Sequence, residues 1–342
     1  MLILRRSDVL AVLDDAEDAV CRTVRDAYLA HSRRETSVPH SVFLRFPGNP
    51  RDRIIALPAY VGGERPVAAV KWVASFPGNL ALGLDRASAA ILLNSVTDGR
   101  PVALLEGAVI SARRTAAGAA VAAATLTADA PADARSGVAL IGCGVINFEI
   151  LRFLRSQLPE LEAVTVFDLD PERAREFASR VPDLKVEIAG DVEEALAAHR
   201  IVSLATTAGE PHLSADSCLP GTVVLHVSLR DLTPESILAA RNVVDDTDHV
   251  CREATSLDLA ARLAGDRGFV TAELGDLLSG VSALPYDAGS VTVFSPFGLG
   301  ALDAALAAHV MDEAAARGLG IHLPDFSTDP EAGPGEVEQR DR

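Results

Sequence analysis

Lysine is almost absent from this sequence. Only two of the 342 residues are lysines, Lys71 and Lys185, and apart from histidine every other basic side chain is an arginine. Acidic residues outnumber the basic ones, which gives a formal net charge of −17 at pH 7. A surface of that charge repels nucleic acids and anionic membranes, so we expect neither as a partner.

The two lysines stand in different surroundings. Lys185 lies in the charged segment Asp183–Glu187, which is typical of a solvated strand edge. Lys71 lies in the apolar run Val67–Ala74, where a lysine is costly to bury without a partner or a chemical task. A lysine whose stem reaches back to the surface would explain the same pattern. The residues alone leave both interpretations open, and Lys71 is a candidate functional residue.

Long apolar runs and paired cysteines are lacking as well. No segment combines the length and bulk needed to cross a bilayer, and the apolar N-terminal segment is too short for a secretory signal. We therefore expect a cytoplasmic protein. The four cysteines are scattered, without CxxC spacing or paired histidines, so neither a metal site nor a disulfide is indicated.

A glycine-rich turn near residue 140 is the most informative motif present. The apolar run Val138–Ile141 leads into Gly142-Cys143-Gly144, and a helical pattern follows. A strand that ends in such a turn at a helix start presents backbone N–H groups to a pyrophosphate. Asp168 ends a second apolar run about 26 residues later, where an acid suits the adenosine ribose. Asn147 replaces the third glycine, so an ordinary strand–turn–helix remains the alternative.

Strand and helix patterns alternate after Gly137, with strands expected at 137–141, 163–167, 184–188, 200–204, 222–227 and 242–245. Such alternation predicts an α/β fold with a doubly wound parallel sheet, the Rossmann arrangement. The preceding part has one long helical pattern over 7–34, β-like runs at 40–46, 53–57, 68–75, 89–93 and 102–106, and an alanine-rich helix from Ser111 to about Leu126. A last helix is expected over 301–316. The tail 325–342, rich in proline, glycine and charge, is expected to be disordered.

Several short motifs occur together in one order along the chain. They are Arg45 within Phe43–Phe46, the turn Leu57–Tyr60, Lys71, the helix start Arg114–Ala117, the turn Gly142–Gly144, and Asp231 after a late strand. The combination resembles the ornithine cyclodeaminase/mu-crystallin family over roughly residues 1–322. The resemblance implies a Rossmann domain (131–295) inserted in a second α+β domain (1–130, completed by 296–324) that binds substrate and dimerises. It also implies NAD as cofactor, a small amino-acid substrate and a homodimer.

The resemblance also implies roles for individual residues. Arg45, Lys71 and Arg114 match substrate-binding cations, with the arginines on the α-carboxylate and Lys71 near the reacting carbon. Asp231 matches a carboxylate that handles protons or water, so Lys71 and Asp231 are the implied catalytic pair. The implied cofactor-binding residues are Thr115, Gly142, Cys143, Gly144, Val145, Ile146, Asn147, Asp168, Thr206, Thr207, Ser228 and Gly298.

Within the family, segments 40–47, 53–60, 71–77 and 228–232 are similar to the branch that oxidises N-(2-amino-2-carboxyethyl)-L-glutamate and supplies 2,3-diaminopropionate to siderophore and peptide pathways. Ile55 stands where cyclodeaminases carry a glutamate, and Arg86 stands where they usually have threonine. Loss of an acid and gain of a cation suit a substrate with three carboxylates, so Arg86 joins the substrate-binding residues. The implied reaction is NAD-dependent oxidative hydrolysis to 2-oxoglutarate and L-2,3-diaminopropionate.

Other interpretations of these residues stay open. A surface ion pair with Asp85 explains Arg86, and helix capping explains Asp231, although Thr233 is the better cap. The run Asp245–His249 resembles a metal cluster in composition, but a solvated turn after a strand is the preferred interpretation. For the whole protein, the alternatives are ornithine cyclisation, alanine-type or ketimine-type dehydrogenation, and a non-catalytic nucleotide-binding role like that of the crystallin branch.

Overall fold

The structure, a computed structural model, describes residues 1–324 and 326, except for the side chains of Pro50 and Leu80. The predicted disordered tail lies outside the described residues apart from Phe326. The strands are β1 (Leu2–Leu4), β2 (Thr36–Ser37), β3 (Val42–Phe46), β4 (Asn49–Val61), β5 (Val67–Ser75), β6 (Ala87–Asn94), β7 (Pro101–Glu106), β8 (Gly137–Ile141), β9 (Ala163–Phe167), β10 (Lys185–Ile188), β11 (Ile201–Leu204), β12 (Val223–His226), β13 (Arg241–Val244), β14 (Val270–Glu273), β15 (Thr292–Ser295) and β16 (Ile321–His322). The α-helices are α1 (Arg6–Leu13), α2 (Glu17–Ser32), α3 (Ala108–Leu126), α4 (Val145–Gln157), α5 (Pro171–Ser179), α6 (Val192–Ala198), α7 (Pro234–Ala239), α8 (Thr247–Val250), α9 (Ser256–Ala264), α10 (Leu274–Ser279) and α11 (Gly300–Ala316).

The first sheet joins the two ends of the described chain. Its strands run in the order β16-β1-β7-β6-β5-β4-β2, and β3 pairs with β4. The antiparallel register places Leu57, Lys71, Ile91 and Leu105 side by side on β4 to β7. Residues in such a row share a face because side chains alternate along a strand. Lys71 therefore points to the same side as the buried Ile91 and Leu105, and α11 packs against β4, β5 and β6.

The second sheet is entirely parallel, in the order β10-β9-β8-β11-β12-β15-β13-β14. Every residue of β8 is buried, which suits a strand covered on both faces and explains its uninterrupted apolar sequence. Helices alternate with these strands along the chain, so the predicted α/β Rossmann fold is confirmed. In chain order this sheet lies between α3 and α11. Both of these helices pack against strands of the first sheet.

Two strands of the parallel sheet were not predicted, β14 and β15. Strand β15 lies between β12 and β13, so these two strands are not neighbours. Its four residues, Thr292 to Ser295, are all buried although both ends are polar. With polar residues at both ends, only Val293 and Phe294 form an apolar run, and backbone bonds to strands on both sides hold the segment in place.

The single helix predicted over 7–34 is wrong. The chain forms α1 and α2, separated by a turn in which Asp15 has a φ of +57°. The alanine-rich helix α3 also begins earlier than the predicted Ser111. The Glu106 carboxylate accepts hydrogen bonds from the N–H groups of Ala108 (2.8 Å) and Val109 (3.1 Å), which satisfies the free donors of the first turn. Among the described helices, none is both long and apolar enough to cross a membrane.

Candidate active site

The glycine turn lies at the carboxyl end of β8, and its first glycine is required by geometry. Gly142 has a φ of +93°, and a Cβ at this position would come 2.6 Å from the Ala205 carbonyl oxygen. A side chain here would collide with the backbone that follows β11. Gly144 is the N-cap residue of α4, and a Cβ there would meet only open space. The turn thus leaves the N-terminus of α4 open to a ligand.

Asp168 lies beside this turn, as its spacing predicted. Its Oδ2 accepts a hydrogen bond from the Cys143 N–H at 2.8 Å, and its Oδ1 accepts one from the Asp170 N–H at 2.9 Å. The nearby Arg173 is directed to Asp170, with 3.8 Å between Nε and Oδ2. Burial, together with the negative charge of Asp168, raises the pKa of Cys143 to about 12, so the thiol stays protonated at neutral pH.

Asn147, in place of the third glycine, has a structural role. It is fully buried, its amide nitrogen donates to the carbonyls of Ile141 (2.9 Å) and Gly142 (2.8 Å), and its oxygen accepts from Ser203 Oγ (2.7 Å). These bonds tie α4 to β8 and β11. The effect of Asn147 on a bound nucleotide is therefore indirect, through the shape of the turn.

Lys71 is buried and paired, so its stem does not reach back to the surface. Its Nζ donates to Asp303 Oδ2 at 2.7 Å and to Ser111 Oγ at 3.2 Å. Arg114 donates from Nε to the other oxygen of the same carboxylate at 3.1 Å. Asp303 therefore holds together two of the predicted substrate-binding cations. Sequence reasoning missed it, although a lone acid in the apolar first turns of α11 was the available signal.

Two cations on one carboxylate leave an excess of positive charge in this group. Burial lowers the pKa of Lys71 to about 8, and the positive charge of Arg114 adds to this, while Asp303 opposes it. Lys71 can thus exchange a proton near neutral pH. Because the bond from Arg114 to Asp303 uses Nε, the terminal guanidinium nitrogens are left to face the adjoining cavity.

The cavity next to Arg114 has a volume of about 210 Å³. It is lined by Tyr28, Arg114, Thr115, Gly118, Ile146, Val227, Pro296, Phe297, Gly298 and Leu302. Both halves of the fold contribute, and three of the lining residues, Thr115, Ile146 and Gly298, belong to the predicted cofactor set. Gly298 has a φ of +94°, and a Cβ there would approach Arg114 Nη1 to 2.7 Å. Any residue larger than glycine at position 298 would displace the guanidinium of Arg114.

Asp245 holds the backbone of two residues that line the same cavity, Phe297 and Gly298. The interpretation of Asp245–His249 as a solvated turn is therefore wrong for Asp245. Its carboxylate is buried and accepts from the N–H groups of Phe297 (2.9 Å) and Gly298 (2.7 Å). Burial raises the pKa of Asp245 to about 6 despite these bonds. Asp246 instead caps α8 by accepting from the His249 N–H.

Asp231 is fully buried after β12 and is surrounded by donors. The hydroxyls of Thr206 and Ser228 both donate to its carboxylate, and His226 Nε2 lies 3.5 Å from Oδ2. Burial by itself would raise the pKa of Asp231, but the adjacent His226 and the hydrogen bonds from Ser228 and Thr206 outweigh it, so the pKa is lowered. The alternative role as a helix cap falls to Thr233, which accepts from the Ser236 N–H at the start of α7.

The remaining residues of the predicted cofactor set either form hydrogen bonds within the protein or are exposed. Thr206 and Ser228 are bonded to Asp231, whereas Thr207 and Val145 are exposed at the carboxyl edge of the parallel sheet. Thr115 Oγ1 donates to the Ser111 carbonyl within α3.

Arg45 and Arg86 do not contact Lys71 or Arg114. Arg45 pairs with Glu253, with 3.0 Å between Nη2 and Oε2. Arg86 donates to Ser75 Oγ at 3.3 Å and makes no ion pair with Asp85.

Ile55 lies between these arginines and Lys71. It pairs with Phe43 and Val73, two residues along β4 from Leu57, the partner of Lys71. The side-chain alternation places Ile55 on the same face of the sheet as Lys71. Position 55 thus presents an apolar side chain on this face, between Lys71 with its partner Asp303 and Arg45 with its partner Glu253.

The fold and the site define an α/β protein in which a dinucleotide-type glycine turn adjoins a buried cationic cavity of a second sheet. The chain belongs to the ornithine cyclodeaminase/mu-crystallin family, which it matches over residues 11–318. The N-((2S)-2-amino-2-carboxyethyl)-L-glutamate dehydrogenase of Staphylococcus aureus is 28% identical over 333 residues, which cover 94% of this chain and 98% of that protein.

Two solved structures have a closely similar fold. The Thermococcus litoralis Delta(1)-pyrroline-2-carboxylate reductase in complex with NADH and L-proline has a TM-score of 0.87 and 28% identity, covering 94% of this chain and 100% of that one. An archaeal alanine dehydrogenase dimer with bound NAD has a TM-score of 0.86 and 25% identity, covering 95% and 99%. Both similarities extend over the two sheets described above.

Proposed function

We propose that this protein is an NAD-dependent dehydrogenase that converts N-(2-amino-2-carboxyethyl)-L-glutamate, NAD and water into 2-oxoglutarate, L-2,3-diaminopropionate and reduced cofactor. Two features together carry the proposal. Position 55 holds an apolar isoleucine, and the half-buried Arg86 has no ion-pair partner among the described residues. An apolar side chain in place of an acid offers nothing to the ammonium of ornithine. An unpaired guanidinium suits a further carboxylate. The similarity to the S. aureus enzyme supports the same substrate.

The residues present fit a nicotinamide dinucleotide. The Gly142 position cannot carry a Cβ, the N-terminus of α4 is open, and the Asp168 carboxylate lies beside the turn. These features suit a pyrophosphate and an adenosine ribose. NAD, when bound, supplies the hydride acceptor.

The chain's own groups provide binding and proton transfer. Arg114 holds the α-carboxylate through its terminal nitrogens, while Asp303 fixes its Nε. Lys71, with a pKa near 8, takes the proton of the substrate ammonium before the carbon loses hydride. The resulting imine carbon accepts water, which Asp231 orients and deprotonates. The hydroxyl of this adduct loses its proton as the carbon–nitrogen bond breaks, which forms the keto group of 2-oxoglutarate, and Lys71 returns its proton to the departing amine.

The direct test is incubation of the purified protein with NAD and the bridged amino acid. We expect NADH absorbance and 2-oxoglutarate to appear in equal amounts, and both to depend on the substrate. Ornithine and alanine serve as comparison substrates and should react poorly. Release of ammonia and proline from ornithine, without 2-oxoglutarate from the bridged compound, would assign the protein to the cyclodeaminases instead.

Cofactor choice should depend on Asp168. Its carboxylate would accept the ribose hydroxyls of NAD and repel the 2′-phosphate of NADP, so Asp168→Ala should weaken NAD about tenfold and narrow the preference over NADP. Fluorescence titration with both cofactors measures this. Asp170→Asn is the control, because Asp170 is an exposed N-cap two residues away and asparagine keeps the cap. Equal affinity of the parent for NAD and NADP would contradict the assignment.

The assembly proposed is a two-fold homodimer through the outer face of the first sheet. Val42 and Trp72 lie in one cross-strand row on that face, and they are 64% and 44% exposed. Leu44 and Tyr60 are exposed on the same face. A contiguous apolar surface of this kind is typical of an interface. The archaeal alanine dehydrogenase of the same fold is a dimer.

Light scattering at micromolar concentration tests this assembly. The parent should have twice the chain mass, and Trp72→Glu should give monomers because a charge would be buried without a partner. Val281→Glu, at an apolar residue that is 75% exposed elsewhere, should leave the mass unchanged. A monomeric parent would refute the dimer.

A further inference from the structure

Four arginines gather at the end of the first sheet that is remote from Lys71. Arg45 and Arg53 lie opposite each other on β3 and β4, and Arg53 in turn pairs with Ser75 on β5. Arg86 donates to Ser75 Oγ at 3.3 Å. The fourth, Arg230, comes from the loop after β12 of the parallel sheet. We call Arg45, Arg53, Arg86 and Arg230 the arginine cluster.

The cluster has a single acidic partner in the part of the chain that the structure describes. Glu253 accepts from Arg45 Nη2 at 3.0 Å, and its backbone carbonyl accepts from Arg230 Nη2 at 2.6 Å. Arg53, Arg86 and Arg230 form no ion pair within 4 Å among the described residues. Four guanidinium groups therefore share one carboxylate, which leaves a large excess of positive charge.

The physical environment makes this excess costly without a bound anion. Burial lowers the pKa of Arg53, Arg86 and Arg230, and neighbouring guanidinium groups lower it further: Arg45 acts on Arg53, and Arg53 acts on both Arg86 and Arg230. Like charges that are partly removed from water repel each other strongly. An anion placed among them would gain several charge-assisted hydrogen bonds at once.

Glu253 is held among these arginines by an unfavourable backbone. Glu253 and Ala254 have φ values of +57° and +53°, a conformation that non-glycine residues rarely adopt. The Ala254 N–H donates to Asp258 Oδ2 at 2.9 Å, and Thr255 caps α9, which anchors the following turn. The carboxylate of Glu253 thus stands where a carboxylate of a ligand would be neutralised.

The cluster lies on the substrate side of the sheet. Arg53 precedes Leu57, the strand partner of Lys71, by four residues, and so lies about 13 Å from it along β4 on the same face. Ile55 lies between them. Flexible arginine side chains span much of that distance, so an elongated polyanion held at Arg114 by one carboxylate can reach the cluster with the others.

We propose that Arg53, Arg86 and Arg230 form a subsite for the two substrate carboxylates remote from Lys71, and that Glu253 is the internal counter-ion that these carboxylates displace. This inference rests on the proposed function, because the bridged amino acid is the tricarboxylate in question. It assigns substrate selection to Arg53 and Arg230, which come from different halves of the fold. It also makes Glu253 a competitor of the substrate.

Binding of inert polycarboxylates tests the subsite separately from turnover. Calorimetry on the NAD-bound protein, with tricarballylate and glutarate as probes, should show tighter binding of the tricarboxylate. Arg53→Gln, Arg86→Gln and Arg230→Gln should each weaken tricarballylate by about tenfold to a hundredfold. Their melting temperatures without anion should be unchanged or raised, because each change relieves repulsion. Arg65→Gln, at an exposed arginine in the turn between β4 and β5, is the control and should bind as the parent does.

Glu253→Gln separates a subsite from a merely structural cluster. Removal of the competing carboxylate should tighten tricarballylate and lower KM for the bridged amino acid by severalfold, with little change in kcat. Unchanged or weaker binding in this variant, or parent-like binding in all three arginine variants, would overturn the subsite. Should the anions bind as expected while the bridged amino acid is not oxidised, the subsite stands and the proposed function fails.

Discussion

Asp231→Asn should lower kcat by roughly 10²–10⁴-fold and leave the affinity for NAD nearly unchanged. The carboxylate is buried, and its lowered pKa keeps it ionised at neutral pH. In the proposed mechanism this carboxylate orients and deprotonates water. Asparagine keeps the size and can still bond to the hydroxyls of Thr206 and Ser228, which can reverse their roles as donors. Steady-state rates of NADH formation, with cofactor affinity from fluorescence titration, measure both quantities.

A second substitution tests the other member of the pair. Lys71→Met should also reduce turnover about a hundredfold or more, since methionine fills the space but cannot take a proton. Asp216→Asn, at an exposed acid between β11 and β12 of the parallel sheet that also carries Asp231, is the control and should behave as the parent. Near-normal turnover in both Asp231→Asn and Lys71→Met would make these residues structural.

The largest loss of stability is expected for Asp303→Asn. The Asp303 carboxylate bonds to both Lys71 and Arg114 in a buried position, so its removal leaves two cations without a counter-ion. Breaking a buried ion pair in this way costs about 3–5 kcal/mol of unfolding free energy. Urea unfolding at neutral pH measures the difference from the parent.

The pH dependence of that loss has a definite sign. The folded pKa of Lys71, about 8, lies below its unfolded value of 10.5, so the unfolded chain binds more protons between these values and stability from this group rises with pH there. Asp303 opposes this depression, so its removal should lower the pKa further. The deficit of Asp303→Asn should therefore be greatest near pH 7 and should narrow as the pH rises toward 10, where Lys71 is uncharged in both proteins.

Asp312→Asn is the matched control for this prediction. Asp312 lies on the same helix, α11, and pairs with Arg65, whose side chain is 77% exposed. Exposed pairs contribute up to about 1 kcal/mol. Equal losses for Asp303→Asn and Asp312→Asn would show that the buried carboxylate does not stabilise the two cations.

Local patterns were sufficient to predict six of the eight strands of the parallel sheet and its glycine turn. An apolar strand, two glycines and an acid at a set distance give nearly the same arrangement in any Rossmann sheet, because the turn geometry depends on neighbouring residues. The structure accordingly places Asp168 beside the Cys143 N–H. Strand β15 escaped prediction because its four residues acquire strand structure from β12 and β13 on either side.

The amino-acid sequence by itself determined the α/β class and the glycine turn and singled out a lysine in an apolar strand as a candidate, since each depends on side-chain alternation or spacing within a few residues. The tertiary structure alone decided which groups neutralise that lysine. Asp303 meets Lys71 across 232 residues of chain, and Glu253 meets Arg45 of the first sheet across 208 residues. Burial and charge balance are properties of such distant contacts, because the dielectric surroundings of a side chain depend on what packs around it.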